Sequence, residues 1–515
     1  MGKRNKKRDH PPKNELGGEG SGISPNYLRQ ITSDPYLLLM IAIVLIGAYL
    51  RLHNLGAQSI WLDEASTYYM AYGESISGVW AHALADRHPP LHFLIINFVS
   101  TFSSSEFALR LPSAIFGILT IPMIYKTGEA IFGRKEGLVS AFILSISTIH
   151  IFYSQEARMY AQMILFALVS LYFIYMASKE NKNWQWIGFV ASAALGFYSF
   201  YYTIFVLIPE LMFYCIIQLK GSFQARRLVL SDTRNIRSFL VSMLAFVLVV
   251  SPVLLPFIRQ SISRAAGAPT WGMGQSLDFF NTILMQYSTY SNTSYILASI
   301  FCAGFVVSIL KRDEREKAVL MALMVFVPLV VSYILAARMP FSPRYLLFIL
   351  PIYILMISRG VTGISQLLQP GTSKKGNIDK NRSLIILVLV ILVGALCLSP
   401  LASYYTTPQK NDWRGVSSYL HEMTQPGDVV VSLPGYMTQP LEFYYDYSGT
   451  YKESASSAAR LENISATYDN VNIWYVVTWD ITAANPEGDA LNWLEQNAQF
   501  TSQITGVYIA TDRKE

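Results

Sequence analysis

The chain has 515 residues, room for more than one domain, with 52% apolar and only 14% charged side chains. That balance excludes an ordinary soluble globule. The net charge of +6 is not a nucleic-acid signature, because the basic residues cluster at the edges of apolar runs. Cys215, Cys302 and Cys397 all lie inside such runs, which argues for packing roles and against disulfides or a thiolate metal site.

Residues 1–34 read as a disordered tail. Lys3, Arg4, Lys6, Lys7, Arg8, Lys13 and Arg29 are spaced by Pro and Gly, and such a charge belongs on the cytoplasmic side. A cleavable signal peptide fits poorly, since no small-residue cleavage site follows the first apolar run. The first span is expected at 35–52. A polar loop follows, with Trp61, Tyr68, Tyr69, Tyr72 and Trp80 at the density of an interfacial element. Leu91–Phe102 is too short to cross and reads as half-buried or re-entrant.

Further spans are expected at 107–126, 137–153, 160–178, 184–200, 202–219, 239–258, 294–310, 318–336, 344–359 and 383–401. The total is about eleven transmembrane helices plus interfacial ones, in an α-helical polytopic membrane protein. The basic loops Lys126–Lys135, Lys179–Lys182, Lys220–Arg237, Lys311–Lys317 and Arg359–Arg382 then share the side of the first tail. The first outer loop (53–106), the links 153–160, 258–293 and 337–343, and everything past 402 fall on the other side. Two sequons, at Asn292 and Asn463, are on that outer side.

The transmembrane unit is thus expected over 35–402 and a small soluble α/β domain over 403–515. In the latter, Val429–Leu433, Asn472–Thr478 and Val507–Thr511 read as buried strands. Arg414–Met423, Thr438–Tyr447 and Glu487–Asn497 read as helices.

Three outer constellations carry chemistry. Asp63-Glu64 lies just beyond the first span, in a loop that Asp86-Arg87-His88 closes. A carboxylate there can act as general base towards an acceptor hydroxyl. The link Gln155-Glu156-Ala-Arg158-Met-Tyr160 is charged and amide-rich where a short turn ordinarily holds Gly, Asn or Pro. Arg338 and Arg344-Tyr345 put cations on the outer side, against the usual bias. Guanidinium forks match phosphate oxygens. A sugar on a phosphate carrier needs cations for the departing phosphate and a base for the acceptor, and these clusters supply both.

At these motifs the chain resembles the C-type polytopic glycosyltransferases of family 39. That family holds the protein O-mannosyltransferases, with the aminoarabinose transferase of lipid A as a relative. The carriers of the resemblance are Asp63-Glu64, His88-Pro-Pro-Leu91, Arg110-Leu-Pro112, Gln155 to Tyr160, Pro343-Arg344-Tyr345 and Asp412-Trp-Arg414 through Gly427-Asp428. The chain departs from the mannosyltransferases in having His92-Phe93 where they have Gly-Lys.

The resemblance implies inverting transfer of one sugar from a dolichyl- or undecaprenyl-phosphate carrier to a protein, lipid or glycan. The reaction is expected on the outer face of the cell membrane or its endoplasmic-reticulum equivalent. No cofactor is expected beyond the lipid-linked donor, with a divalent metal left open, and no nucleic acid partner.

The expected site has Asp63 and Glu64 as catalytic carboxylates, their division of labour open. Arg158, Arg344 and Tyr345 are expected on the donor phosphate, and His88, Gln155, Glu156 and Tyr160 on substrate. Arg110 is expected to have a snorkelling or structural role. The alternatives are a lipid-linked sugar flippase or transporter, which would place ionisable groups near the bilayer midplane, and an oligosaccharyltransferase, whose Trp-Trp-Asp motif is here only Thr478-Trp479-Asp480.

Overall fold

A computed structural model describes residues 34–512 apart from 225–232, 266–273, 277, 289–292, 340 and 369–374. The expected tail up to residue 33 and the sequon Asn292 lie outside the described residues.

The chain is an integral membrane protein. Among the described residues eight helices are long and apolar enough to cross a bilayer, nine if one bent pair counts as a single span. In chain order α1 is Pro35–Leu52, α2 Leu62–Ala71, α3 Ile76–Ala85, α4 Leu91–Ser100 and α5 Glu106–Ile131. The bent pair is α6, Arg134–Ser145, and α7, Thr148–Ser154, which meet at 62°. Then come α8 (Tyr160–Glu180), α9 (Asn183–Ser199), α10 (Ile204–Gln224), α11 (Thr233–Ala265) and α12 (Asp278–Tyr287). The bundle closes with α13 (Ser294–Leu310), α14 (Arg315–Leu335), α15 (Leu350–Leu368, entered through a 3-10 turn at Pro343–Ile349) and α16 (Lys375–Thr406).

The expected spans coincide with helices except 137–153, which breaks into α6 and α7, and 344–359, which begins in the 3-10 turn. α9 and α13 are the short ones, at 17 residues each. The segment from Leu91 is a ten-residue helix, as its length requires. α1 begins where Pro35 sits at the first helical position and the Asp34 carboxylate accepts from the Tyr36 amide.

The bend between α6 and α7 exposes carbonyls that hydrocarbon cannot solvate. Arg51 fills it. Its guanidinium donates to the carbonyls of Leu144 (3.0 Å), Ser145 (3.0 Å) and Gly47 (2.9 Å). At the other, basic end, Arg359 lies buried between Glu136 (3.2 Å) and Glu314 (2.7 Å) and ties α6 and the α13–α14 link to α15.

The C-terminal domain is a five-stranded sheet. Its strands are β1 (Val429–Leu433), β2 (Tyr451–Ser454), β3 (Ile473–Thr478), β4 (Gln499–Ile504) and β5 (Val507–Thr511), in spatial order β2-β1-β3-β5-β4. β1 runs parallel to β2 and β3, with Val429 opposite Ile473. β5 is antiparallel to β3 and β4. β1 and β3 are buried throughout. The three expected strands are present and two more flank them. Of the expected helices, α17 (Trp413–Met423) and α20 (Asp489–Asn497) form nearly as read. The segment from Thr438 is helical only to Glu442 (α18), and a further helix, α19 (Ala458–Thr467), carries Asn463.

α13 and α15 touch backbone to backbone. A Cβ at Gly360 would run into the carbonyl of Ile300, and one at Gly304 into that of Met356. Small residues at such a crossing substitute packing for the missing hydrophobic drive between membrane helices. Gly360→Leu should therefore destabilise by about 1–3 kcal/mol or more, read as a lower unfolding midpoint in detergent. Gly394→Leu should do less, because a Cβ there meets only the side chain of Phe142, at 3.3 Å.

Candidate active site

The loop that follows α1 is fixed by one carboxylate. Glu64 is at the third position of α2 and has no exposed surface. One oxygen accepts from Arg110 Nε (2.7 Å) and the Ala157 amide (2.8 Å). The other accepts from Arg110 Nη2 (2.8 Å) and Lys410 Nζ (2.9 Å). Burial opposes its charge, but Arg110 and Lys410 outweigh burial and hold the carboxyl far below the usual range. Arg110 spends its remaining donors on the carbonyls of Leu55, Gln58 and Ser59.

The expectation of a catalytic Glu64 is at odds with this geometry: its oxygens are already bonded and it has no exposed surface. Arg110 is structural, paired with Glu64 rather than reaching for the membrane surface.

The C-terminal domain sits over the same loop. Arg414 bridges Glu106 (2.6 Å) and the carbonyls of Gly56 and Ala57. Tyr444 donates to Glu106 (2.7 Å) and accepts from the Ile60 amide (2.7 Å). Phe443 packs edge-on against Tyr68 at 4.9 Å.

Asp63 faces the other way. It lines a cavity of about 540 Å³ with His88, Arg158, Tyr160, Arg344 and Tyr345, six of the nine expected site residues. Arg344 Nη1 donates to the Asp63 carboxylate at 2.8 Å. The guanidinium lies within 6 Å of the rings of Trp61, Tyr160 and Tyr345. Arg158 donates to the Asp63 carbonyl (3.2 Å) and to Thr67 (2.9 Å). Burial opposes its charge, yet Asp63 and Tyr160 raise it above its ordinary value. The Nε atoms of Arg158 and Arg344 are buried without an acceptor among the described residues. His88 is held by Asp86 at 2.9 Å.

The far wall is aromatic and aliphatic, including Phe200, Tyr202, Phe205, Phe257 and Phe341. Arg87, in a left-handed conformation (φ 66°), and Gln260 and Arg264 at the end of α11 complete the lining. Gln260 and Arg264 were not legible in the sequence. The one available signal was that α11, at 33 residues, outruns what a crossing needs.

Two expected substrate residues stay behind the wall. Gln155 donates to the carbonyls of Arg51 (3.0 Å) and His53 (2.8 Å) and accepts from Tyr404 (2.6 Å), closing the end of α1 against α16. Glu156 is 1% exposed, and its carboxyl has no hydrogen-bond partner among the described residues. No group of three or more His, Cys, Asp or Glu that could hold a metal ion is present there or elsewhere among the described residues.

The helical membrane bundle, with the acid-bearing loop after α1 under a small α/β cap, has the C-type glycosyltransferase fold of the solved structures it is similar to. The structure is similar to ArnT from Cupriavidus metallidurans bound to undecaprenyl phosphate. The TM-score is 0.52 at 11% identity, covering 94% of this chain and 99% of that one. It is also similar to the Archaeoglobus fulgidus oligosaccharyltransferase tethered with an acceptor peptide. There the TM-score is 0.53 at 11% identity, covering 93% of this chain and 74% of that one.

In sequence, the family model described as dolichyl-phosphate-mannose-protein mannosyltransferase matches residues 87–256. The resemblance to the C-type transferases is borne out. No curated protein matches by sequence.

Glu156 generates a pH prediction. Burial first, then Glu64 and Asp63, against the pull of Lys410, push its carboxyl from an ordinary 4.5 up to about 7. A raised acid binds its proton more tightly folded than unfolded. Its contribution to stability is complete below about pH 4.5 and lost as pH rises through about 7. Glu156→Gln should match the parent at pH 4.5 and exceed it at pH 8, by roughly 3 kcal/mol at most. Thermal unfolding in detergent at the two pH values checks this; equal midpoints at pH 8 would contradict it.

Proposed function

We propose that the protein transfers a single sugar, with inversion, from a polyprenyl-phosphate carrier to a hydroxyl of a protein, lipid or glycan. The reaction takes place on the extracytoplasmic face, beneath the C-terminal domain. The observation that carries this reading is that two guanidinium side chains, Arg158 and Arg344, line one cavity with Asp63 while its opposite wall is apolar. Guanidinium forks match phosphate oxygens, and a phosphate ester with a hydrocarbon tail suits both ends of this space. ArnT, which shares the fold, has been seen with undecaprenyl phosphate, and this supports the same class of donor.

The chemistry follows from the positions. The acceptor hydroxyl loses its proton to the Asp63 carboxylate as its oxygen bonds to the anomeric carbon. The bond from that carbon to the phosphate oxygen breaks on the opposite side, leaving a polyprenyl phosphate monoester. Arg344 and Arg158 hold the charge that develops there, and the Tyr345 hydroxyl adds a neutral donor. Without donor, Arg344 neutralises Asp63. When the phosphate engages Arg344, the carboxylate is released towards the acceptor. Tyr160 and His88 line the space left for the sugar and acceptor. The positive-inside distribution of the loops supports the outer placement, with the N-terminus cytoplasmic.

Asp63→Asn should lower turnover by about 100-fold or more with little effect on unfolding. Arg344→Lys keeps the charge but not the planar fork, so it should raise the KM for the donor more than that for the acceptor. Transfer from defined polyprenyl-phosphate sugars by purified protein checks both. Full turnover in Asp63→Asn, or an unchanged donor KM in Arg344→Lys, would overturn the assignment.

A further inference from the structure

α11 packs on the bundle along one face, with Val250 and Val253 buried against Phe197 and Tyr201. Much of its apolar surface, including Val241, Leu244, Leu248 and Val249, is exposed. Between it and α9 runs a groove of about 960 Å³, floored by small side chains (Ala191, Ala194, Ser242, Ala245) and flanked by Trp186 and Val241. The groove is closed towards the active cavity by the Tyr198 hydroxyl, which donates to the Val249 carbonyl at 2.9 Å. Beyond that point Tyr201 and Phe257 belong to the active cavity.

The other end is polar. The groove there shares Asn183 and Ile187 with a second hollow, formed by Lys179 to Asn183 together with Asn235. Arg237 lines the groove at this mouth and has no hydrogen-bond or ion-pair partner among the described residues. The neighbouring charges are already matched. Glu180 holds Lys182 (2.8 Å) and accepts from Gln185 (2.8 Å), and Lys179 holds Glu316 (3.1 Å). Among the described residues the unbalanced charge of the mouth is therefore one guanidinium, next to the side-chain amides of Asn183 and Asn235.

We propose that this groove binds an anionic phospholipid. Its phosphate meets Arg237, Asn183 and Asn235, and an acyl chain lies between α9 and α11. The polyprenyl donor is a poor occupant. A carrier seated here would hold its phosphate near Arg237, 23 residues along α11 from Gln260 in the active cavity, or about 35 Å at helical rise. A zwitterionic headgroup would bring a second cation to a mouth whose described acids, Glu180 and Glu316, are already engaged. The site is thus separate from the catalytic cavity, although α11 walls both.

The test uses the full chain in detergent. Native mass spectrometry and thermal unfolding are followed while phosphatidylglycerol, or phosphatidylcholine with the same acyl chains, is added. A basic residue near a headgroup is expected to give a preference for phosphatidylglycerol on the order of fivefold. Arg237→Gln, at an exposed position, should remove that preference with the unliganded midpoint unchanged. Ala194→Trp, which fills the groove, should remove binding of both lipids.

Equal retention of the two lipids by the parent would overturn the proposal, as would an undiminished preference in Arg237→Gln. Displacement of phosphatidylglycerol by undecaprenyl phosphate at equal concentration would assign the groove to the carrier instead, and also overturn it. None of these readouts depends on catalytic activity.

Discussion

The structure turns on the buried ion cluster of Glu64, Arg110 and Lys410. Four parts of the chain meet at one carboxylate: the start of α2, the first turns of α5, the link after α7, and the entry to the C-terminal domain. An ion pair taken out of water is not by itself a large source of stability, but removing one partner strands the others at a high cost. The cluster therefore acts as a geometric constraint. It holds the loop after α1 against the bundle and the cap against the loop, and so fixes one wall of the cavity.

That constraint explains why adjacent acids take different parts. Successive residues on an α-helix point about 100° apart, so with Glu64 locked inward Asp63 turns to the cavity and meets Arg344, 281 residues away in the chain. Arg344 is in turn held among three aromatic rings. A cation so placed can exchange a carboxylate for a phosphate with little reorganisation, the condition under which electrostatic stabilisation of a leaving group is most effective.

Much of the fold was legible because long apolar runs have few solutions in a bilayer, and because β1, β3 and β5 are buried apolar strands. β2 and β4 were not, since their residues are mostly exposed and polar and carry no alternation. The site was legible as clusters but not as contacts. Asp63, Arg158, Arg344 and Tyr345 stood out by being charged or polar where the outer face should be sparing. Which of Asp63 and Glu64 faces inward depended on Lys410, 346 positions from Glu64. No local pattern encodes that. Gln155 and Glu156 looked like substrate ligands for the same reason as Arg158, yet one turns to close α1 against α16 and the other is sealed behind the wall. Arg51 went unnoticed because the broken helix whose carbonyls it satisfies reads as one uninterrupted apolar run.

The central claim is that the Asp63 cavity holds the phosphate of a polyprenyl carrier between Arg158 and Arg344. A structure of the full chain with bound undecaprenyl phosphate tests it most directly. The account predicts phosphate oxygens within hydrogen-bonding distance of both guanidinium groups, and the prenyl chain against Phe200, Tyr202 and Phe257. A phosphate bound elsewhere, with the Asp63–Arg344 pair intact and the cavity unfilled, would contradict it.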